Sequence, residues 1–256
     1  MARSTAEVRT IIEDGFTAAL PSSGGSSTAP ATYARKLRRV LIAALASESD
    51  RRVALTELCS EASYMFCYAS SRVEHTHAAL GDGPHHAIVA FLEWVADGEL
   101  PVRDRYLAIS GLRWVWTRFG VDRVRTAAFF DELATYRRPP LADPAAEQLA
   151  CQIEVAFADT PYPFTITTAE SDAARNVALL FHDQRWPSLH PELLELEPDA
   201  MRVFTDEAVR YFMPAYLLCA VAGIALEVDV LASVTEEHLV LFTREERATI
   251  EAVLAR

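Results

Sequence analysis

Residues 205–227 read TDEAVRYFMPAYLLCAVAGIALE and contain the longest apolar run of the chain, 211–226. At about 1.5 Å rise per residue that run makes roughly 24 Å of helix, short of the ~20 apolar residues that cross a bilayer, and Pro214 and Gly223 interrupt it. The stretch therefore reads as a central buried helix and not as a membrane span. Thr205 is placed as its N-cap. Asp206 and Glu207 put negative charge on the positive end of the helix dipole, and either can pair with Arg210. Pro214 cannot donate to the carbonyl of Arg210 and its ring crowds that turn, so a kink is expected there.

Around this helix the C-terminal part breaks into short helical segments. Asp143 opens a helix through Phe157, and the following DTPYPFTITT is irregular, with room for one short strand. A helix over 171–182 turns Ala173, Val177, Leu180 and Phe181 inward. The Pro-punctuated WPSLHPELLELEPDA supplies turns that lead to Thr205. Thr243 and Glu246 form a capping box for a last helix presenting Ile250, Val253 and Leu254.

The N-terminal part has the same character. Ser4 and Glu7 form a capping box for a helix to about Leu20, and PSSGGSSTAP at 21–30 is a flexible linker. No Gly-Lys-Ser/Thr follows its glycine pair, so it is not a phosphate loop. Thr32 caps a helix whose apolar face is Leu37, Val40, Leu41, Ala44 and Leu45. Residues 53–80 carry Leu55, Leu58, Ala62, Met65, Phe66, Ala69 and Val73 at helical spacing. Pro84 and Gly98 frame the next helix, Ile109, Leu112, Trp116 and Phe119 mark another, and a last one spans 122–136. The fold class is all-α. Two helical subdomains are expected, 1–140 with roughly six helices and the 21–30 linker, and 141–256 with about four to five.

Composition sharpens that division. Of 256 residues 51% are hydrophobic, ample for a core, and the formal net charge is −12. Residues 141–256 hold twenty acids against seven arginines, while 1–140 are nearly balanced. The change falls at Arg137-Arg138-Pro139-Pro140, where a double proline cannot continue a helix and stiffens the connection. Lys36 is the single lysine among many arginines, alanines and leucines, a bias of high-GC bacterial genomes. Residues 4–20 are amphipathic and acidic, unlike a secretory signal, which gives a cytoplasmic expectation. Cys59, Cys67, Cys151 and Cys219 sit in apolar helical contexts without Cys-x-x-Cys spacing and read as buried reduced thiols.

Four motifs in the C-terminal half stand out: Ala156-Phe157-Ala158-Asp159-Thr160-Pro161-Tyr162-Pro163, the Trp186 to Glu192 step, Thr205 to Leu218, and Phe242-Thr243-Arg244-Glu245-Glu246-Arg247. Together, over about 147–256, they resemble a bacterial domain family of unknown function. The resemblance implies no activity and no assigned functional residues, and gives no reason to place chemistry at Asp172, His182 or Asp183. Residues 1–140 fall outside it.

Candidate chemistry is sparse. His75, His77, His85 and His86 are close in sequence, but positions i and i+2 on one helix do not share a face, so zinc ligation needs the preceding helix to end before His75. His182, Asp183 and His190 flank Trp186 and offer an acid/base pair, against the plainer reading of a histidine favouring a helix C-terminus. No Gly-x-Ser-x-Gly, His-Glu-x-x-His or Walker motif occurs. Eight arginines between 103 and 138 form a band with two tryptophans, which suits nucleic acid, yet the acidic half repels phosphate. Docking of that band against Glu192, Glu195, Glu197 and Asp199 is the preferred expectation.

No residue is assigned to catalysis, cofactor or metal binding. The leading expectation is a non-enzymatic interaction module whose acidic half binds a basic protein, as immunity or antitoxin-like proteins bind theirs. The alternatives are a metal-dependent or acid/base enzyme using the histidine clusters, and a nucleic-acid-associated regulator using the arginine band. A homo-oligomer is compatible with the sequence.

Overall fold

The computed structural model describes residues 3–17, 29–68, 80–97, 100–112, 123–168, 171–197, 199–224, 226 and 236–256, and of 29, 30, 60–68, 123–127, 172, 236 and 237 only the backbone. The chain is all-α: the described residues hold no strand, only an isolated antiparallel bridge between Thr167 and Phe204. No helix among them is long and apolar enough to cross a membrane. Two compact units are present, Met1–Phe129 and Phe130–Arg256.

The first unit comprises α1 (Thr5–Thr17), α2 (Ala29–Ala44), α3 (Glu48–Tyr68), α4 (Asp82–Asp97) and α5 (Val102–Gly111). The capping box opens α1 as read: Ser4 Oγ accepts the Glu7 N–H at 3.3 Å, and Glu7 Oε2 accepts the Ser4 N–H at 2.8 Å. Its apolar stripe, Val8, Ile12 and Phe16, is buried. Helix α2 begins three residues ahead of Thr32, because Pro30 is tolerated in a first helical turn where its missing N–H has no partner to lose. Its apolar face from Leu37 to Leu45 is buried as expected. Helix α3 begins before residue 53, capped by Ser47, whose Oγ accepts the Asp50 N–H at 3.1 Å. Leu55 and Leu58 are buried, whereas Ala62, Met65 and Phe66 lie outside the described side chains and residues 69–79 outside the described chain.

Glycines set how closely these helices approach. A Cβ built on Gly83 of α4 would lie 2.5 Å from the carbonyl oxygen of Gly15 on α1, and one built on Gly15 would lie 2.5 Å from that of Gly83. The two backbones are in contact where they cross, which only hydrogen side chains permit. Gly83→Ala is expected to lower the stability of the first unit by about 1–3 kcal/mol as the crossing is forced apart, although alanine is the better helix former. An unchanged or raised melting temperature for that variant would contradict the account. Between α3 and α5 the unit encloses a charge. Asp104 is fully buried, 3.6 Å from Arg51 Nη1 and 3.5 Å from Arg103 Nε. Arg51 also donates to the Ala44 carbonyl at 3.0 Å and lies over the Trp94 ring, which fixes the end of α2 against α3.

Helix α6 (Arg123–Thr135) contains the division between units, ahead of the double proline. The second unit continues with α7 (Pro144–Ala156), α8 (Asp172–Phe181), α9 (Pro191–Leu194), α10 (Asp206–Val221), α11 (Glu236–Leu239) and α12 (Arg244–Leu254). Single 3-10 turns at Trp186–Ser188 and Ala200–Arg202 punctuate the approach to α10. The double-proline segment belongs to this unit because Arg138 ties it to α7. Its Nη1 donates to Glu147 Oε2 at 2.6 Å and its Nε to Glu154 Oε1 at 2.8 Å, while the Leu141 N–H donates to Glu147 Oε2 at 2.8 Å. The Arg138 guanidinium holds the Glu147 carboxyl down to about 2.

Helix α10 is the buried centre of its unit. Tyr211 to Leu217, Cys219 and Val221 are all buried, and the helix runs on through Pro214. It ends earlier than the apolar run suggests. Gly223 adopts φ 69° and ends the helix in a Schellman motif: the Gly223 N–H donates to the Ala220 carbonyl at 3.0 Å and the Ile224 N–H to that of Cys219 at 2.9 Å. Ile224 is consequently exposed, not buried.

Aromatic rings pack one side of α10. Phe212 meets Phe181 at 4.8 Å and Phe204 at 5.4 Å between ring centres, and Tyr211 meets Tyr162 at 5.1 Å. On α8 the inward residue is Ala174 where the sequence suggested Ala173, since the helix is capped by Ser171 and its register places 174, 177, 180 and 181 on one face. On α12 Ile250 and Val253 are buried but Leu254, in the last turn, is exposed.

Candidate functional site

Residues 158–168 hold neither helix nor strand, yet they are held at successive points against the first turns of α10 and α12. Thr205 caps α10 by accepting the Ala208 N–H at 3.1 Å, and the same hydroxyl donates to the Thr165 carbonyl at 2.7 Å. The Thr205 N–H donates to the Ile166 carbonyl at 3.0 Å. Glu207, free for contact because it sits in the exposed first turn of α10, accepts the Phe164 N–H at 3.0 Å. Tyr162 donates its hydroxyl to the Phe181 carbonyl at 3.2 Å and accepts the Asp183 N–H at 3.0 Å.

Beneath this loop lies a carboxylate hub. Glu246, 2% exposed, accepts from Arg210 Nη2 at 2.9 Å, from Arg210 Nε, from the Thr243 N–H at 2.6 Å and from Thr160 Oγ1 at 3.3 Å. Burial opposes its ionisation, and the Arg210 guanidinium with the Thr243 N–H outweighs burial, holding the carboxyl below its usual range. Arg210 was expected to pair with Asp206 or Glu207 in its own helix. It turns to Glu246 instead, because a buried carboxylate demands a cation more strongly than a solvated one.

The loop exposes two large residues, Tyr162 in part and Phe164 almost wholly. Phe164 is 98% exposed on a segment whose backbone is fixed on both sides. Glu207 accepts its anchoring bond and Asp206 precedes it in the chain, while Asp159 and Glu245 are the chain neighbours of the bonded pair Thr160 and Glu246. All four acids are exposed.

The other candidates fall in separate places. His182 Nδ1 lies 2.9 Å from Asp183 Oδ2, and the two side chains are 72% and 87% exposed, a solvated pair at the C-terminus of α8. Asp183 has φ 62°, a left-handed position that its N–H bond to Tyr162 holds. His190 has other duties: its Nδ1 accepts the Glu192 N–H at 3.3 Å, capping α9, and its ring packs on Tyr136 at 4.6 Å. The side chain of Asp172 lies outside the described ones. Of the first histidine group, His85 is half-buried on α4, its imidazole pushed down by burial, and His86 is exposed; His75 and His77 lie outside the described residues. Among the described residues no three histidines, cysteines or acids converge as metal ligands.

Cys151 is exposed, contrary to the reading of a buried thiol, because it sits on the outer side of α7 beside Glu147. Cys219 is buried, and burial pushes its thiol up to about 12, which keeps it protonated and unreactive. Cys67 lies outside the described side chains. Nearby, burial pushes the Glu197 carboxyl up to about 7, with Asp199 adding to the shift. In the arginine band Arg103 is buried beside Asp104, Arg105 lies 4.9 Å over the Phe129 ring and Arg138 grips α7, so these members present no free basic surface.

Sequence reasoning found the caps at Thr205 and Thr243 but neither the Arg210–Glu246 bond nor the exposure of Phe164. The capping box already carried Glu246, so the signal present was the box itself, with a second demand on its carboxylate unseen. Compared with known proteins, the chain matches no family model, no curated protein and no solved structure. Three of the four motifs meet in the fold: Thr160 and Arg210 bond to Glu246, Tyr162 packs on Tyr211, and Phe157 on Phe242 at 6.1 Å. Their residue types serve the packing and polar bonding of the second unit.

Proposed function

We propose that the second unit is a docking module that binds a basic protein through its acidic surface. The observation that supports this most is how the unit spends its charges. Arg138, Arg202, Arg210 and Arg256 are paired within the unit, to Glu147 and Glu154, Asp199, Glu246 and Asp143 respectively. Asp159, Asp206, Glu207 and Glu245 remain at the surface around the 158–168 loop, and none of the four is in an ion pair among the described residues, although the exposed Arg244 adjoins Glu245 in sequence. A face with acids in excess draws a cationic partner and raises its rate of association.

The experiment is capture from an extract of the producing cells on the immobilised full chain, at about 0.05 M and about 0.5 M salt, which changes the screening length severalfold. The expected result is a basic protein retained at low salt, released at high salt, and absent when Asp159→Asn, Asp206→Asn, Glu207→Gln and Glu245→Gln are combined. Equal retention by that variant, or retention of acidic proteins only, would overturn the reading.

A further inference from the structure

We propose that Phe164 is the aromatic anchor of this docking surface, seated in an apolar recess of a partner whose arginine or lysine side chains meet Glu207 and Asp206. The inference rests on the docking reading above and adds the chemistry of the contact. Exposed aromatic rings at loop tips are usually free to fold back onto the surface, yet here the ring is 98% exposed while its own N–H is fixed to Glu207. Pro161 and Pro163 stiffen the tip, and Tyr162 between them is bonded to Phe181 and Asp183. With the backbone already fixed, only the two side-chain torsions of the ring remain to be ordered on binding, a small cost that suits an anchor residue.

Charge selects the occupant. A second copy of this chain would bring its own net charge of −12 to the same acidic face, and like charges repel. A membrane surface rich in anionic headgroups is repelled for the same reason. A cationic protein segment with apolar residues between its charges satisfies both features: the ring enters the recess, and the guanidinium or ammonium groups pair with the carboxylates at its base or lie over its face.

The test uses the full chain and two fluorescent peptides of equal charge, one alternating arginine with leucine and one alternating arginine with glycine, titrated by anisotropy. Phe164→Ala is expected to weaken the arginine–leucine peptide by roughly tenfold or more and to leave the arginine–glycine peptide unchanged. Glu207→Gln is expected to weaken both. The melting temperature of Phe164→Ala should equal that of the wild type, since the ring is exposed to solvent. Unchanged affinity of Phe164→Ala for the arginine–leucine peptide overturns the anchor while leaving the acidic docking surface standing. Failure of the wild type to bind either peptide overturns both readings together. Sedimentation with phosphatidylcholine–phosphatidylglycerol vesicles that Phe164→Ala abolishes would assign the ring to lipid and overturn the proposal.

Discussion

Leu217→Asp is expected to abolish the fold of the second unit. Leu217 has no exposed surface and lies in the second half of α10, beside the buried Tyr216 and two residues before the buried Cys219. A carboxylate there is either ionised without a partner or forced to protonate, and in both cases it also forfeits the apolar contacts of the leucine. Such substitutions cost more than about 4–5 kcal/mol, against a total stability of about 5–15 kcal/mol for a domain. Ala220→Asp, on the exposed side of the same helix, is the control, and near the helix C-terminus it should cost only about 0.3–1 kcal/mol. Helical circular dichroism on heating, read beside limited proteolysis of the second unit, checks both. A Leu217→Asp protein that melts as the wild type does would refute the placement of α10 at the centre.

Glu246→Ala is expected to be nearly as damaging, for the opposite reason: it removes a charge that others need. Arg210, the Thr243 N–H and Thr160 Oγ1 would lose their common acceptor. Breaking one side of a fully buried pair costs about 3–5 kcal/mol, and because the Arg210 side chain is 33% exposed the loss here is expected near the lower end. Replacing both partners by apolar side chains, Arg210→Met with Glu246→Leu, should recover a large part of that loss, because no buried charge is then left alone. The pH dependence follows from the direction of the shift. Glu246 has its carboxyl held low in the folded state, so its contribution is present above the unfolded carboxyl range and disappears as pH falls through the lowered folded value. Chemical denaturation from neutral to acid pH should show the wild type losing its advantage over Glu246→Gln. A constant difference across that range would refute the linkage.

What the sequence revealed was the local chemistry. Caps at Ser4, Asp143, Thr205 and Thr243 are interactions within three residues, and hydrophobic spacing places the buried faces of α2 and α12 to within a residue. Errors came where a distant residue decides. Arg210 has carboxylates both one turn before it and 36 positions after it, and only folding shows that the distant one is buried. The end of α10 was misjudged because the apolar run continues past Gly223, whereas backbone conformation at that glycine, not hydropathy, stops the helix. Gly15 and Gly83 look like ordinary helix-weakening residues until the crossing of α1 and α4 shows that each makes room for the other. Phe164 carries no sequence signal of exposure, because an aromatic directly after a proline reads equally well as core.

The grip of Arg138 on α7 bears on how the second unit can be excised. The double proline is the obvious place to cut a gene in two, but a fragment starting at residue 141 discards the guanidinium that neutralises Glu147 and Glu154. It would begin life with two carboxylates on one face of α7, two turns apart and without the cation they share, and with the Tyr136 ring stripped from His190. The compact unit itself starts at Phe130, so a fragment that keeps these contacts has to begin upstream of the chain's most conspicuous punctuation mark.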